Sequence, residues 1–187
     1  AVIGPLSTNV YVLADPASRE AIAIDTATPC LDWIAGALAE RDWTLKLIVN
    51  THGHWDHMGD NAAVQAHTGA DIAIHPDDAH RLLTPKPLYA PFEIIPSVPA
   101  VELAEGGEVR FGEIRLRVLH TPGHTAGSMC YLWRDHVFTG DTLLINGCGR
   151  TDFQSGSAEA LYRSITQLLF ALPDATTVWP GHDYQGR

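Results

Sequence analysis

Residues 45–57 read LKLIVNTHGHWDH. The first six are dominated by Leu45, Leu47, Ile48 and Val49, a short apolar run that predicts a buried strand. The next seven hold His52, His54, Asp56 and His57, with Gly53 easing a tight loop. In a strand-to-loop turn His52 and His54 point the same way, and Asp56 and His57 curl back toward a second point. Neutral imidazole suits zinc, iron, copper and nickel, and a carboxylate adds hard oxygen and charge. The spacing therefore predicts a metal-binding loop at the end of a strand.

The same residue types recur downstream in matching contexts. His124 lies in TPGHT (121–125), Asp141 in FTGDT (138–142) and His182 in PGHD (180–183). Each has a glycine beside it and follows a predicted strand. Strand ends gathered on one rim would bring seven groups together: His52, His54, Asp56, His57, His124, Asp141 and His182. The remaining histidines, His67, His75, His80, His120 and His136, stand alone in sequence and are read as surface or satisfied core residues.

Working outward, residues 9–14 and 21–24 predict two strands around a turn containing Pro16. Thr28 is then expected to cap a helix that has Pro29 at its first position, runs to about Arg41 and turns Leu31, Ile34, Ala35 and Leu38 to one face. Helices are expected at 60–68 and 76–83, with Asp60 and Asp77 or Asp78 at their N-termini. A strand is expected at 71–75. Residues 84–100 contain five prolines and no period, which predicts a long connecting loop or lid. Hairpins are expected from 109–111 with 114–119 and from 129–133 with 136–139. A helix at 157–170 should turn Leu161, Ile165, Leu168 and Leu169 inward, and 176–179 should be the last strand. The order suggests two similar halves, each with a sheet whose apolar face needs cover. Two sheets packed together with helices outside is the natural layering.

The chain has 187 residues, enough for one domain of residues 1–187 with its own core. Its formal net charge is −10, and only Lys46 and Lys86 are lysines. With no basic run, nucleic acid is excluded as a partner class. No apolar stretch approaches the ~18–20 residues of a membrane span, so no membrane association is expected. The three cysteines, Cys30, Cys130 and Cys148, are odd in number and far apart, which fits a reducing cytoplasm and no disulfide framework. Cys148, between Gly147 and Gly149, is expected to be a small buried residue.

These motifs resemble the metallo-β-lactamase superfamily over nearly the whole chain, from Asp25 in AIAID to the final HDYQGR. The resemblance implies an α+β fold, an αββα sandwich of two mixed β-sheets with helices on the outer faces and a metal site at one edge. Members cleave lactams, thioesters and phosphodiesters or oxidise persulfides, so fold leaves the reaction open. The segment GCGRTDFQ (147–154), with Leu161-Tyr162 and His182-Asp183-Tyr184, is similar to the persulfide dioxygenase branch, which is related to glyoxalase II.

That branch implies one Fe(II) per chain on His52, His124 and Asp141, with positions left for glutathione persulfide and O2. His54, Asp56, His57 and His182 would support that ligand set, Tyr184 would face the open positions, and Arg150 would pair with a glutathione carboxylate. A homodimer and a rhodanese-type partner are the assemblies it brings into consideration. The related hydrolases imply a second arrangement of two Zn(II) ions. There His52, His54 and His124 take one ion, Asp56, His57 and His182 take the other, and Asp141 bridges them to cleave a glutathione thioester. Three features depart from the branch. Trp55 replaces a small residue, 84–100 is proline-rich, and a further C-terminal segment is expected beyond HDYQGR.

Overall fold

The structure, a computed structural model, describes residues 1–86, 90, 92–153 and 155–183. A short ribbon pairs β1 (Val2–Ile3) with β2 (Thr8–Asn9). The first large sheet holds β3 (Tyr11–Asp15), β4 (Glu20–Ile24), β5 (Thr44–Val49), β6 (Asp71–Ile74) and β7 (Val101–Glu102) in that spatial order. Its first pair is antiparallel and the rest are parallel. The second holds β8 (Glu108–Phe111), β9 (Ile114–His120), β10 (Met129–Trp133) and β11 (His136–Gly140) as an antiparallel meander, with β12 (Thr177–Pro180) added parallel to β11. Both sheets are therefore mixed, as expected.

Side-chain alternation explains the layering, because successive residues of a strand face opposite sides. In β4, Ile22 and Ile24 join Val118, Met129, Tyr131 and Phe138 of the second sheet in the core between the sheets. Ala21 and Ala23 face the other way, against α1 (Leu31–Arg41) and α3 (Asn61–Thr68), which contribute Ile34, Leu38 and Val64. On the far side of the second sheet, Leu119, Cys130 and Val137 meet Leu169. Each fully buried isoleucine or leucine contributes roughly 1.5–3 kcal/mol relative to exposure. The result is helices, sheet, sheet and helix in four layers.

Two helix starts differ from expectation. Helix α1 begins at Leu31, with Cys30 in the capping position and the Thr28-Pro29 peptide cis. Its first N–H groups, those of Cys30 and Leu31, donate to the Asp60 carboxylate at 2.6 and 3.1 Å. A carboxylate at a helix N-terminus satisfies orphan donors and complements the dipole. Asp60 does this for a helix 30 residues earlier, and its side chain makes no cap for α3. Helix α4 (Pro76–Leu83) forms as expected, with Asp77 and Asp78 in its first turn and His75 Nδ1 accepting from the Asp77 N–H. Of 84–100, the described residues form no helix or strand.

The last helix also differs. Ser157 caps α5 (Ala158–Arg163), which passes into a π-helical segment over Ser164–Leu169. The wider π turn shifts the facing of later residues. Leu161 and Leu169 are buried, whereas Leu168 is 38% exposed. Leu168 was expected inward from a uniform 3.6-residue period, and the change of period turns it outward.

Candidate metal centre

All the predicted ligands lie where strands end on one rim. β5 leads into His52 and His54, and then into α2 (Trp55–Met58), which carries Asp56 and His57. The loop after β9 carries His124, the residue after β11 is Asp141, and His182 lies two residues beyond β12. The two sheets are tied together at this rim. The Met129 N–H donates to the Thr51 carbonyl at 2.8 Å, and the Tyr131 hydroxyl donates to the Asn50 carbonyl at 2.7 Å.

The seven groups form two trios. In the first, His54 Nδ1 stands 3.0 Å from His52 Nε2 and 2.9 Å from His124 Nε2. In the second, His182 Nε2 stands 3.1 Å from His57 Nε2 and 3.3 Å from Asp56 Oδ2. Asp141 lies between them. Its Oδ2 is 3.5 Å from His124 Nε2, and its Oδ1 is 3.4 Å from His57 Nε2 and 3.5 Å from His182 Nε2. Ligand atoms bonded tetrahedrally to one ion at ~2.0–2.1 Å stand about 3.3 Å apart. The spacing within both trios is of that order.

Hydrogen bonding fixes where the histidine protons sit. His124 Nδ1 lies 2.7 Å from the Arg150 carbonyl and His182 Nδ1 lies 3.0 Å from the Leu6 carbonyl. A carbonyl only accepts, so both Nδ1 atoms donate and both Nε2 atoms face the centre as the candidate ligand atoms. His52 Nδ1 lies 3.1 Å from the Thr51 hydroxyl, which itself donates to Asp25 at 2.9 Å. His57 Nδ1 donates to Asp25 Oδ2 at 2.8 Å. Four histidines thus aim Nε2 inward, each held by a partner at its other nitrogen, an arrangement typical of metal ligands.

The electrostatics fit a cation. Asp141 Oδ1 is buried without a hydrogen-bond partner. Burial pushes His52 well below the usual imidazole range and His54 down to about 4, helped by the neighbouring imidazoles. Both are therefore neutral ligands at ordinary pH. For His57 burial disfavours charge, but Asp141, Asp56 and Asp25 outweigh it and raise the group well above the usual range. Asp141 is held below the usual carboxylate range because His57, His182 and His124 overcome its burial. A divalent ion coordinated by His57 Nε2 itself would displace its proton. The donor set of imidazoles and carboxylates, the orphaned oxygen and the inward-facing ring nitrogens all suit a transition-metal ion. Close packing seals the arrangement: a Cβ on Gly181 would meet Asp141 Oδ1 at 2.5 Å and His57 Cε1 at 2.8 Å.

A cavity of about 1070 Å³ opens over the centre, with Trp55, Arg81, Lys86, Cys148, Arg150 and Phe153 in its walls. Arg150 is held by its own segment. Its guanidinium makes a bidentate pair with Asp152 at 2.6 Å and lies 3.7 Å over the Phe153 ring, while the residue lines the cavity. Cys148 is exposed, contrary to expectation. Gly149 takes the buried position, because a Cβ there would stand 2.7 Å from His124 Nδ1, and Cys148 is turned toward the cavity wall. Burial raises the thiol of Cys30 and pushes that of Cys130 up to about 11. Brief treatment of the native protein with iodoacetamide should therefore modify Cys148 alone, read by peptide mass spectrometry. Equal labelling of all three thiols would contradict this burial pattern.

Asp25 was not singled out as a site residue. It is buried, adopts φ 59° and accepts from the Thr51 N–H and hydroxyl and from His57. No local sequence signal marks it, because its partners lie 26 and 32 residues further along the chain. Tyr184 lies outside the described residues. His75, Asp77 and His120 also hold ligand-type atoms within 4.8 Å of one another. The two rings stack at 4.1 Å and 10°, with His75 Nδ1 accepting the Asp77 N–H and His120 Nε2 lying 2.8 Å from the Ala126 carbonyl. Among the described residues, no helix is long and apolar enough to cross a membrane.

Sandwich and centre together define an enzyme that works through a bound metal at one edge of two packed sheets. The chain belongs to the metallo-beta-lactamase superfamily, whose family model matches residues 3–182. It is 36% identical to the human persulfide dioxygenase ETHE1, mitochondrial, over 96% of this chain and 65% of that protein. It is 37% identical to the hydroxyacylglutathione hydrolase of Maricaulis maris over 96% of this chain and 64% of that protein. The chain thus spans just under two thirds of both relatives. Among solved structures, ETHE1 from Myxococcus xanthus superposes with a TM-score of 0.85 at 42% identity, covering 97% of this chain and 73% of that one.

Proposed function

We propose that the protein is an iron-dependent persulfide dioxygenase that converts glutathione persulfide and O2 to sulfite and glutathione in the cytoplasm. One Fe(II) per chain would be held by His52, His124 and Asp141. The observation that carries this reading is that the segment similar to persulfide dioxygenases, 147–153, walls the cavity and holds His124 through the Arg150 carbonyl. Two histidines and one carboxylate leave an iron open positions, where persulfide sulfur and O2 can be activated together.

This chain's residues supply the rest. Thr51 and the Arg150 carbonyl fix the orientation of His52 and His124. His57 can hold a proton at Nε2 toward Asp56 and Asp141, balancing their charge. Trp55 and Phe153 present apolar surface that limits water near the centre. Arg150 offers the planar fork that suits a substrate carboxylate. Its exposure and its pairing with Asp152 reduce the effect of losing it. Arg150→Ala is expected to raise KM for the glutathione substrate about tenfold, near 1.5 kcal/mol, with little change in kcat. An unchanged KM would return the Arg150 side chain to a structural role, through contacts such as those with Asp152 and Phe153.

A specific observation favours a second reading. The two trios with Asp141 between them suit two Zn(II) ions, and a pair of ions ~3.5–4 Å apart supports hydrolysis of a glutathione thioester. Metal analysis of protein expressed without added metal, paired with an oxygen electrode, separates the two. About one iron per chain and O2 uptake on adding glutathione persulfide supports the dioxygenase. Two zinc ions, no O2 uptake and thioester cleavage would overturn it in favour of the hydrolase.

A further inference from the structure

Two buried carboxylates outside the seven-group centre each tie down part of it. Asp25 binds His57 and Thr51, next to His52. Asp78, on α4, is the other, and it is fully buried. Its Oδ2 accepts the Gly53 N–H at 2.8 Å and the Thr125 hydroxyl at 2.7 Å, and its Oδ1 accepts from Arg81 Nε at 3.1 Å. Gly53 stands between His52 and His54, and Thr125 follows His124. One carboxylate oxygen therefore joins the two loops that supply all three nitrogens of the first trio.

The geometry points to Asp78 as a positioning residue for that trio: by holding the 52–54 loop against the 124–125 loop, it sets the metal affinity of the all-histidine half of the centre. Hydrogen bonds to a buried carboxylate are short and strong, and Arg81 supplies the charge that makes its burial tolerable. Arg81 also donates to the Ser155 hydroxyl at 3.0 Å, and that hydroxyl accepts the Ala126 N–H at 3.1 Å. The brace thus reaches past the 147–153 segment that walls the cavity. Packing leaves Asp78 little room to shift, since a Cβ on Gly127 would stand 2.8 Å from both its Cβ and its Cγ. Metal sites lose affinity when ligands stray by about 0.5 Å, and Asp78, a side chain outside the seven groups that bonds to both loops, is placed to prevent such a drift.

This inference rests on the reading that the seven groups hold metal, but on neither reaction. It is tested by Co(II) titration, followed by visible absorption, in a His182→Ala background where only the first trio is complete. Adding Asp78→Asn or Thr125→Val should weaken Co(II) binding by about 10–100-fold, with far-UV circular dichroism unchanged. Thr125→Ser, which keeps the hydroxyl, should restore it. If Asp78→Asn does not fold, the Thr125 pair decides the matter. Equal Co(II) affinity in Thr125→Val and Thr125→Ser would overturn the positioning role, whatever happens to the melting temperature. If the His182→Ala parent binds no Co(II), the metal reading itself fails and the inference falls with it.

Discussion

Protein carrying Asp141→Ala should emerge from purification essentially free of bound metal. Asp141 is the group shared by the two trios, with one oxygen 3.5 Å from His124 Nε2 and the other 3.4 Å from His57 Nε2. Both the one-ion and the two-ion arrangement use it, and no other carboxylate spans the two halves among the described residues. The substitution removes a direct ligand, so the loss should exceed the ~10–100-fold typical of partners that only orient ligands. Elemental analysis after dialysis against a weak chelator checks this. Retention of wild-type metal would place the ion elsewhere. His182→Ala gives a graded comparison: most of a single iron should remain, whereas one of two zinc ions should be lost.

The second large effect concerns stability. Asp25→Asn should lower the stability of the metal-free protein by about 3–5 kcal/mol, the usual cost of breaking a buried charged pair. For a chain of this size that is a fall of roughly 6–20 °C in melting temperature. Asparagine tolerates the left-handed backbone at φ 59°, so the substitution tests the charge rather than the turn. What it removes is the Oδ2 acceptor shared by His57 Nδ1 and the Thr51 hydroxyl, while the amide oxygen can still accept the Thr51 N–H. Calorimetry of both proteins after metal removal provides the measurement. A change under 1 kcal/mol would mean that Asp25 does not hold this corner of the rim.

The ligands were legible because metal chemistry demands particular residue types, and four of the seven sit within six residues of one another. The layering was legible from the order of strands and helices and from the need of each sheet to cover its apolar face. Groups that act across long separations were hidden. Asp60 serves a helix start about 30 residues earlier, Asp25 binds His57 32 residues later, and Asp78 binds Thr125 47 residues later. Local rules for caps and turns weigh only near neighbours, so they assigned Thr28 the cap that Asp60 provides. Leu168 was misplaced because the helical period widens at Ser164, and nothing in the composition of that segment marks a π turn. Cys148 was read as buried from its glycine neighbours, when it is Gly149 that packs against His124.

The central claim is that distant residues meet to bind a common ion. Anomalous diffraction at the metal's absorption edge, from crystals of protein purified without chelator, tests it most directly. The expected result is a strong peak within ~2.0–2.2 Å of His52 Nε2, His124 Nε2 and an Asp141 carboxylate oxygen. A second peak beside Asp56, His57 and His182 would select the two-ion arrangement. Absence of any peak at the rim, with the metal found elsewhere or not at all, would contradict the assignment of this centre.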